Sequence, residues 1–248
     1  MSEKQYQQRA VLYLDILGFK EAICQSEKDP SEFEKILKAV NSIFREKETN
    51  YNGPLKGCDI GVDISTFSDC IVVSKTLDTP NSFFCLVNMA YFALTEMIEY
   101  GFFARGAIAI GNLYHDEKVV FGQAMVDAYL MESNSAIYPR VIIKKTDLER
   151  MITDNNFNSR DDERRYYGHV TQIDNDGFVF VDFLTPNHQF DYDEGYYWLL
   201  GKTKKLIVDG LNKYKNDARV LPKYEWLKTY FNETLARLVQ SEEIPTKI

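Results

Sequence analysis

Two aspartates stand where carboxylates can do chemistry together. Asp15 closes the apolar run Ala10-Val-Leu-Tyr-Leu-Asp-Ile16, just before a loop containing Gly18. Asp69 falls in Phe67-Ser-Asp69, at the turn between two strand-like segments. If both segments belong to one sheet, the two carboxylates share an edge. There they could hold one or two hard divalent cations, which prefer oxygen ligands. A pair of such cations ~4 Å apart activates an attacking hydroxyl and neutralises a triphosphate leaving group. The loop Leu17-Gly18-Phe19-Lys20 adds backbone N–H groups at a helix start, which suit phosphate oxygens. The alternative reading makes Asp15 a strand-end cap and Asp69 an ordinary turn residue.

The elements that must place these residues follow from periodicity. Four of the five residues before Asp15 are apolar, which predicts a strand covered on both faces. A helix is predicted from Pro30-Ser31 to about Lys47, with Ile36, Leu37, Val40, Ile43 and Phe44 on one side. Ile60–Phe67 alternates and Cys70–Lys75 returns after Ser68-Asp69, which predicts a hairpin. A second helix runs from Pro80-Asn81 to Gly101, then a long strand to Tyr114, a turn at His115–Lys118 and a short strand Val119–Phe121. Gly122–Glu132 reads as a helix and Tyr138–Lys144 as a strand. The plan is α+β: a ferredoxin-like βαββαβ core with an extra hairpin and helices on one face of the sheet. Residues 1–150 are expected to form the catalytic domain. Residues 151–248 are expected to form a C-terminal extension, a dimer brace or a regulatory lobe: the polar stretch Asn155–Arg165, a hairpin around Asp174-Asn-Asp-Gly177, and helices over Leu206–Tyr214 and Tyr224–Val239.

Composition narrows the function. The 248 residues carry 29 Lys and Arg against 37 Asp and Glu, a net charge of −8, which excludes a nonspecific nucleic-acid or anionic-membrane binder. The longest apolar stretch, Phe83–Leu94, is short of the ~20 residues a bilayer span needs. With no signal peptide evident and no Cys-x-x-Cys pair, the reading is a cytoplasmic protein with reduced thiols at Cys24, Cys58, Cys70 and Cys85. His115, His169 and His188 have no metal-type spacing and receive no role.

Four segments resemble class III nucleotide cyclases. Leu14-Asp-Ile-Leu-Gly-Phe19 is similar to that family's first metal motif, and Phe67-Ser-Asp69 to its second. Arg105-Gly-Ala-Ile-Ala-Ile-Gly111 resembles a core strand of the family. Phe121-Gly-Gln-Ala-Met-Val-Asp-Ala-Tyr-Leu-Met-Glu-Ser133 resembles the helix that carries its ribose-positioning Asn and transition-state Arg. Those two positions hold Val126 and Leu130, and the purine-selecting pair is replaced by Ser65 and Val119. Intact metal residues beside rewritten base and helix positions resemble the pyrimidine cyclases of Pycsar anti-phage defence systems.

The resemblance implies a homodimeric cyclase that converts UTP or CTP to the 3′,5′-cyclic monophosphate and pyrophosphate, its product acting on a separate effector protein. It implies two Mg²⁺ or Mn²⁺ ions held by Asp15, Asp69 and the Ile16 carbonyl, with Gly18, Phe19 and Lys20 on the phosphates. Ser65, Phe67 and Val119 would line the base pocket, with Tyr51 nearby. With Leu130 in place of the arginine, Arg140 and Arg105 are the candidate charge-stabilising cations; the alternative is that each pairs structurally with an acidic side chain. The competing functions are a catalytically silent nucleotide-binding signalling module and a polymerase-palm-like nucleotidyltransferase.

Overall fold

The computed structural model describes residues 5–48, 58, 60–78, 81–153, 168–186 and 194–238. Tyr51 and the stretch Asn155–Arg165 lie outside them. The described strands are β1 (Gln7–Ile16), β2 (Val62–Phe67), β3 (Cys70–Thr76), β4 (Ala104–His115), β5 (Val120–Phe121), β6 (Val141–Ile143), β7 (Thr171–Ile173) and β8 (Val179–Val181). The helices are α1 (Phe19–Ser26), α2 (Pro30–Glu48), α3 (Ser82–Glu99), α4 (Gln123–Ser135), α5 (Lys145–Thr153), α6 (Glu194–Lys213) and α7 (Leu221–Arg237).

The strands form one mixed sheet in the order β2-β3-β1-β4-β6-β8-β7, with β5 paired to β4. This is the α+β plan the sequence predicts. β1 is central and antiparallel to both neighbours, with Asp15 opposite Cys70 on β3 and Arg105 on β4. Its run Ala10–Leu14 is buried throughout, because both faces of the strand are covered. β6 lies parallel to β4 after the α4 crossover, and β8 pairs antiparallel with β6. The hairpin of the C-terminal segment therefore extends the same sheet.

Strand alternation assigns the faces. Lys75 donates to the carbonyls of Cys58 and Ile60 on the face where α3 packs, and that face carries Leu12, Leu14, Ile71 and Val73. The opposite face carries Tyr13, Asp15, Cys70 and Arg105, and α4 lies across it: Tyr13 meets the ring of Tyr129 edge-on at 5.7 Å. Helices thus cover both faces, not one as predicted. The reason is that α4, as the crossover between two parallel strands, lies against β1 and β4 on the carboxylate side. At Gly106 a Cβ would stand 2.2 Å from the Tyr13 carbonyl, so only glycine lets β4 lie this close to β1 beside Arg105.

The reduced-thiol expectation fails for two cysteines. Cys58 and Cys85 form a disulfide with Cα atoms 5.2 Å apart, joining the segment before β2 to α3. No local motif marks this pair, since the approach is tertiary and spans 27 residues. Closing a loop of that length stabilises by about 2–4 kcal/mol in the chain-entropy picture. Reductant should therefore lower the melting temperature of the wild type and leave that of a Cys58→Ser/Cys85→Ser variant unmoved. An equal response of the two proteins would refute a stabilising disulfide. No described helix is long and apolar enough to cross a membrane.

Candidate active site

Asp15 is delivered by the last full turn of pleat in β1, and Asp69 by the two-residue turn between β2 and β3. Ser68 takes the left-handed conformation, φ 58°, which closes that turn. The Ile16 N–H donates to the Asp69 carbonyl at 3.1 Å, so the strand end and the hairpin tip are joined through the backbone. One ligand atom from each of Asp15, Asp69 and Cys70 falls within 4.8 Å of the others. All three residues are half-buried.

The donor set suits a hard divalent cation. Two carboxylates supply oxygen ligands of the right class. Burial pushes the Cys70 thiol above its ordinary ionisation range, and it receives a hydrogen bond from the Tyr13 hydroxyl at 2.8 Å. Burial, followed by the Cys70 contact, likewise raises the Tyr13 phenol well above its usual value. The sequence reading missed both residues. Tyr13 carries a visible signal, since it lies two residues before Asp15 on the same strand face.

Arg105 closes the carboxylate side. Its Nε donates to Asp15 Oδ2 at 2.9 Å, and an Nη lies 2.8 Å from Glu132 Oε1. The second contact is an ion pair without hydrogen-bond alignment, because Glu132 Oε1 has no aligned donor. Glu132 is buried on α4; burial raises its carboxyl pKa and Arg105 opposes the rise. Arg105 is thus both beside the candidate metal residues and paired to acidic groups, so the two roles considered for it coincide in one place.

Arg140 is placed differently. Its side chain is 0% exposed and pairs with Asp174 and Asp176 of the β7–β8 turn. Tyr138, Phe180 and Trp226 surround its guanidinium at 5.5 Å, 5.7 Å and 5.6 Å from the ring centroids. Here Arg140, one of the two candidate charge-stabilising cations, has the acidic pairing of the structural alternative. The physical reason is that β8 pairs with β6, which brings the acidic turn onto Arg140.

The phosphate loop has the expected backbone. Gly18 is left-handed at φ 76° and caps α1, where its carbonyl accepts from the Ala22 N–H at 3.1 Å. The Phe19 side chain is buried, which leaves its main chain for any ligand contact, and Lys20 is exposed. Ser65 and Val119 are linked through the end of β4. Ser65 Oγ lies 2.8 Å from His115 Nε2, and His115 Nδ1 lies 2.8 Å from Ser74 Oγ. Asp116 N–H donates to the Val119 carbonyl at 3.0 Å. His115, read from the sequence as a turn residue without a role, is buried and ties three strands together. Val119 lines a cleft of about 500 Å³ with Tyr6, Tyr114 and Phe121. Phe67 is 84% exposed, although apolar.

No known family model matches the chain, and no curated protein matches it. Among solved structures, it is similar to the catalytic core of a rhodopsin–guanylyl cyclase with converted specificity in complex with ATPαS. That likeness has a TM-score of 0.44 and 18% identity, covering 73% of this chain and 98% of the other. A class III adenylyl cyclase-like ATP-binding protein from Pseudomonas aeruginosa is similar with a TM-score of 0.38 and 12% identity, covering 56% and 34%.

Proposed function

We propose that the protein is a nucleotidyl cyclase that converts a pyrimidine nucleoside triphosphate to its 3′,5′-cyclic monophosphate and pyrophosphate. The observation that carries this reading is the convergence of Asp15 and Asp69 beside the left-handed Gly18 loop. Asp15, Asp69 and the Ile16 carbonyl would hold Mg²⁺ or Mn²⁺, which when bound supplies charge neutralisation at the phosphates and lowers the pKa of the ribose hydroxyl. The 3′-oxygen forms a bond to the α-phosphorus, the bond from that phosphorus to the β-bridging oxygen breaks, and the hydroxyl proton leaves to solvent. The Gly18–Phe19 backbone orients the phosphates through N–H donors. Arg105, paired with Asp15, is the guanidinium this reading assigns to the charge that develops on the phosphates.

A homodimer fits the exposure of Val126, Tyr129 and Leu130 along α4 with Phe67 beyond the hairpin tip, an apolar surface that a second copy would cover. The resemblance to Pycsar cyclases extends the reading to second-messenger synthesis in anti-phage defence, with the product read by a separate effector.

The pyrimidine preference rests on Ser65, whose hydroxyl lies against His115 at the position that the resemblance gives to an adenine-selecting lysine. A site lacking the donor that a base edge requires rejects that base strongly. Initial rates with Mn²⁺ and each of ATP, GTP, UTP and CTP should favour UTP or CTP at least ~10-fold. A preference for either purine would reverse the assignment. A second reading, a silent nucleotide-binding module, is favoured by Leu130 and Val126, which are 46% and 48% exposed and offer no polar group. Nucleotide binding without turnover of any of the four would establish it instead.

A further inference from the structure

The C-terminal helices, which share the core through Ile207, Leu227 and Phe231, also meet the active-site edge. At the end of α6, Lys213 Nζ lies 2.7 Å from Glu21 of α1, and the Tyr214 hydroxyl donates to the same carboxylate at 2.7 Å. Lys213 first, then Tyr214, hold the Glu21 carboxyl below its usual range. The first turns of α7 are seated on the other side of the site. The Tyr224 ring meets Phe103 edge-on at 6.2 Å, and the Phe103 carbonyl accepts from Leu17 N–H, in the Gly18 loop, at 2.9 Å. Trp226 stacks on Tyr138 at 5.6 Å with ring planes 8° apart. The chain between α6 and α7 therefore joins a seat on α1 to a seat on Phe103, whose carbonyl holds the loop proposed to bind phosphate.

Lys223 lies between these two seats, half-buried, in the first turn of α7. Arg105, Asp15, Glu132 and Asp217 are the charged groups that act on its ammonium. Burial, then Arg105, lowers its ammonium pKa below that of an ordinary lysine. Among the described residues its ammonium makes no hydrogen bond or contact ion pair. Arg105, by contrast, is committed to two carboxylates at once. The half-buried Lys223 is therefore a cation without a direct partner among the described residues, in the electrostatic reach of Asp15 and Arg105. An oxyanion would supply the missing partner, since a lysine ammonium binds phosphate oxygens as a point charge.

We infer that Lys223, contributed by the C-terminal helix pair, is a substrate-binding cation that contacts the triphosphate in place of the one α4 lacks at Leu130. This rests on the cyclase reading for its substrate, but phosphate binding at Lys223 can be tested apart from turnover. The full chain and its Lys223→Gln and Lys223→Arg variants are titrated calorimetrically with inorganic tripolyphosphate in Mn²⁺, and melting temperatures and kcat/KM are measured on the same preparations. The expected result is at least ~10-fold weaker tripolyphosphate binding and ~100-fold lower kcat/KM for Lys223→Gln, the scale of losing one charge-stabilising donor. Lys223→Arg should recover most of both. If wild type binds tripolyphosphate through Lys223 but cyclises none of the four nucleotides, the cyclase reading falls and this one stands. If wild type fails to bind tripolyphosphate, or Lys223→Gln binds it as tightly as wild type, the inference is overturned. In the latter case a lowered melting temperature would assign Lys223 to balancing Asp15 and Glu132.

Discussion

Asp15→Asn and Asp69→Asn should each lower metal-dependent cyclisation at least ~10³-fold, a loss of about 4 kcal/mol of transition-state stabilisation. Asparagine keeps the shape of the side chain but removes the negative charge that a hard divalent cation requires. The fold should survive both changes. The backbone bond from Ile16 to Asp69 involves no side chain, and an amide at position 15 still offers Arg105 an acceptor. Both aspartates are only half-buried, so the melting temperature should move by a few degrees at most. Rates and melting curves on one preparation check this. An Asp69→Asn protein with a rate within threefold of wild type would remove that carboxylate from the chemistry.

Arg140→Ala should have the largest effect on stability. Arg140 is fully buried and is the only described cation between Asp174 and Asp176, with Trp226 Nε1 also donating to Asp174 at 2.8 Å. Its guanidinium is sandwiched by Tyr138, Phe180 and Trp226, so substitution removes aromatic packing along with charge. Removing one partner of a buried ion pair costs about 3–5 kcal/mol, because the remaining charge is left uncompensated. For a domain of this size that is a fall of roughly 6–20 °C in melting temperature. The rate per folded molecule should be nearly unchanged. A variant with wild-type stability and a rate reduced ~100-fold, the scale of one lost donor, would return Arg140 to the catalytic role first considered for it.

The contrast between the two aspartates and Arg140 shows what the sequence makes legible. Asp15 and Asp69 can be placed because local signals position them: an unbroken apolar run ending in Asp15, and a two-residue turn between alternating segments. The partners of Arg140 are visible only as turn residues, Asp174-Asn-Asp-Gly177, 34 or more positions away. Nothing local says that β8 will pair with β6 and bring that turn onto Arg140. The disulfide has the same origin, since Cys58 and Cys85 meet only after the segment before β2 is laid on α3. Periodicity locates the C-terminal helices approximately, and α6 begins at Glu194, well before the predicted Leu206. Helix α5 has no counterpart in the sequence-based plan, although Leu148 and Met151 stand at helical spacing on its buried side. Lys223 could not be singled out, because its significance depends on where Phe103 and Tyr138 seat α7.

The most direct test follows the phosphorus atoms. Wild-type protein is incubated with Mn²⁺ and UTP or CTP, then Mn²⁺ is removed by chelation and the mixture is analysed by ³¹P NMR and mass spectrometry. The account predicts one equivalent of pyrophosphate and one of a 3′,5′-cyclic monophosphate, both absent with Asp69→Asn. Inorganic phosphate with a nucleoside diphosphate, a linear oligonucleotide, or unchanged triphosphate for all four nucleotides would contradict it.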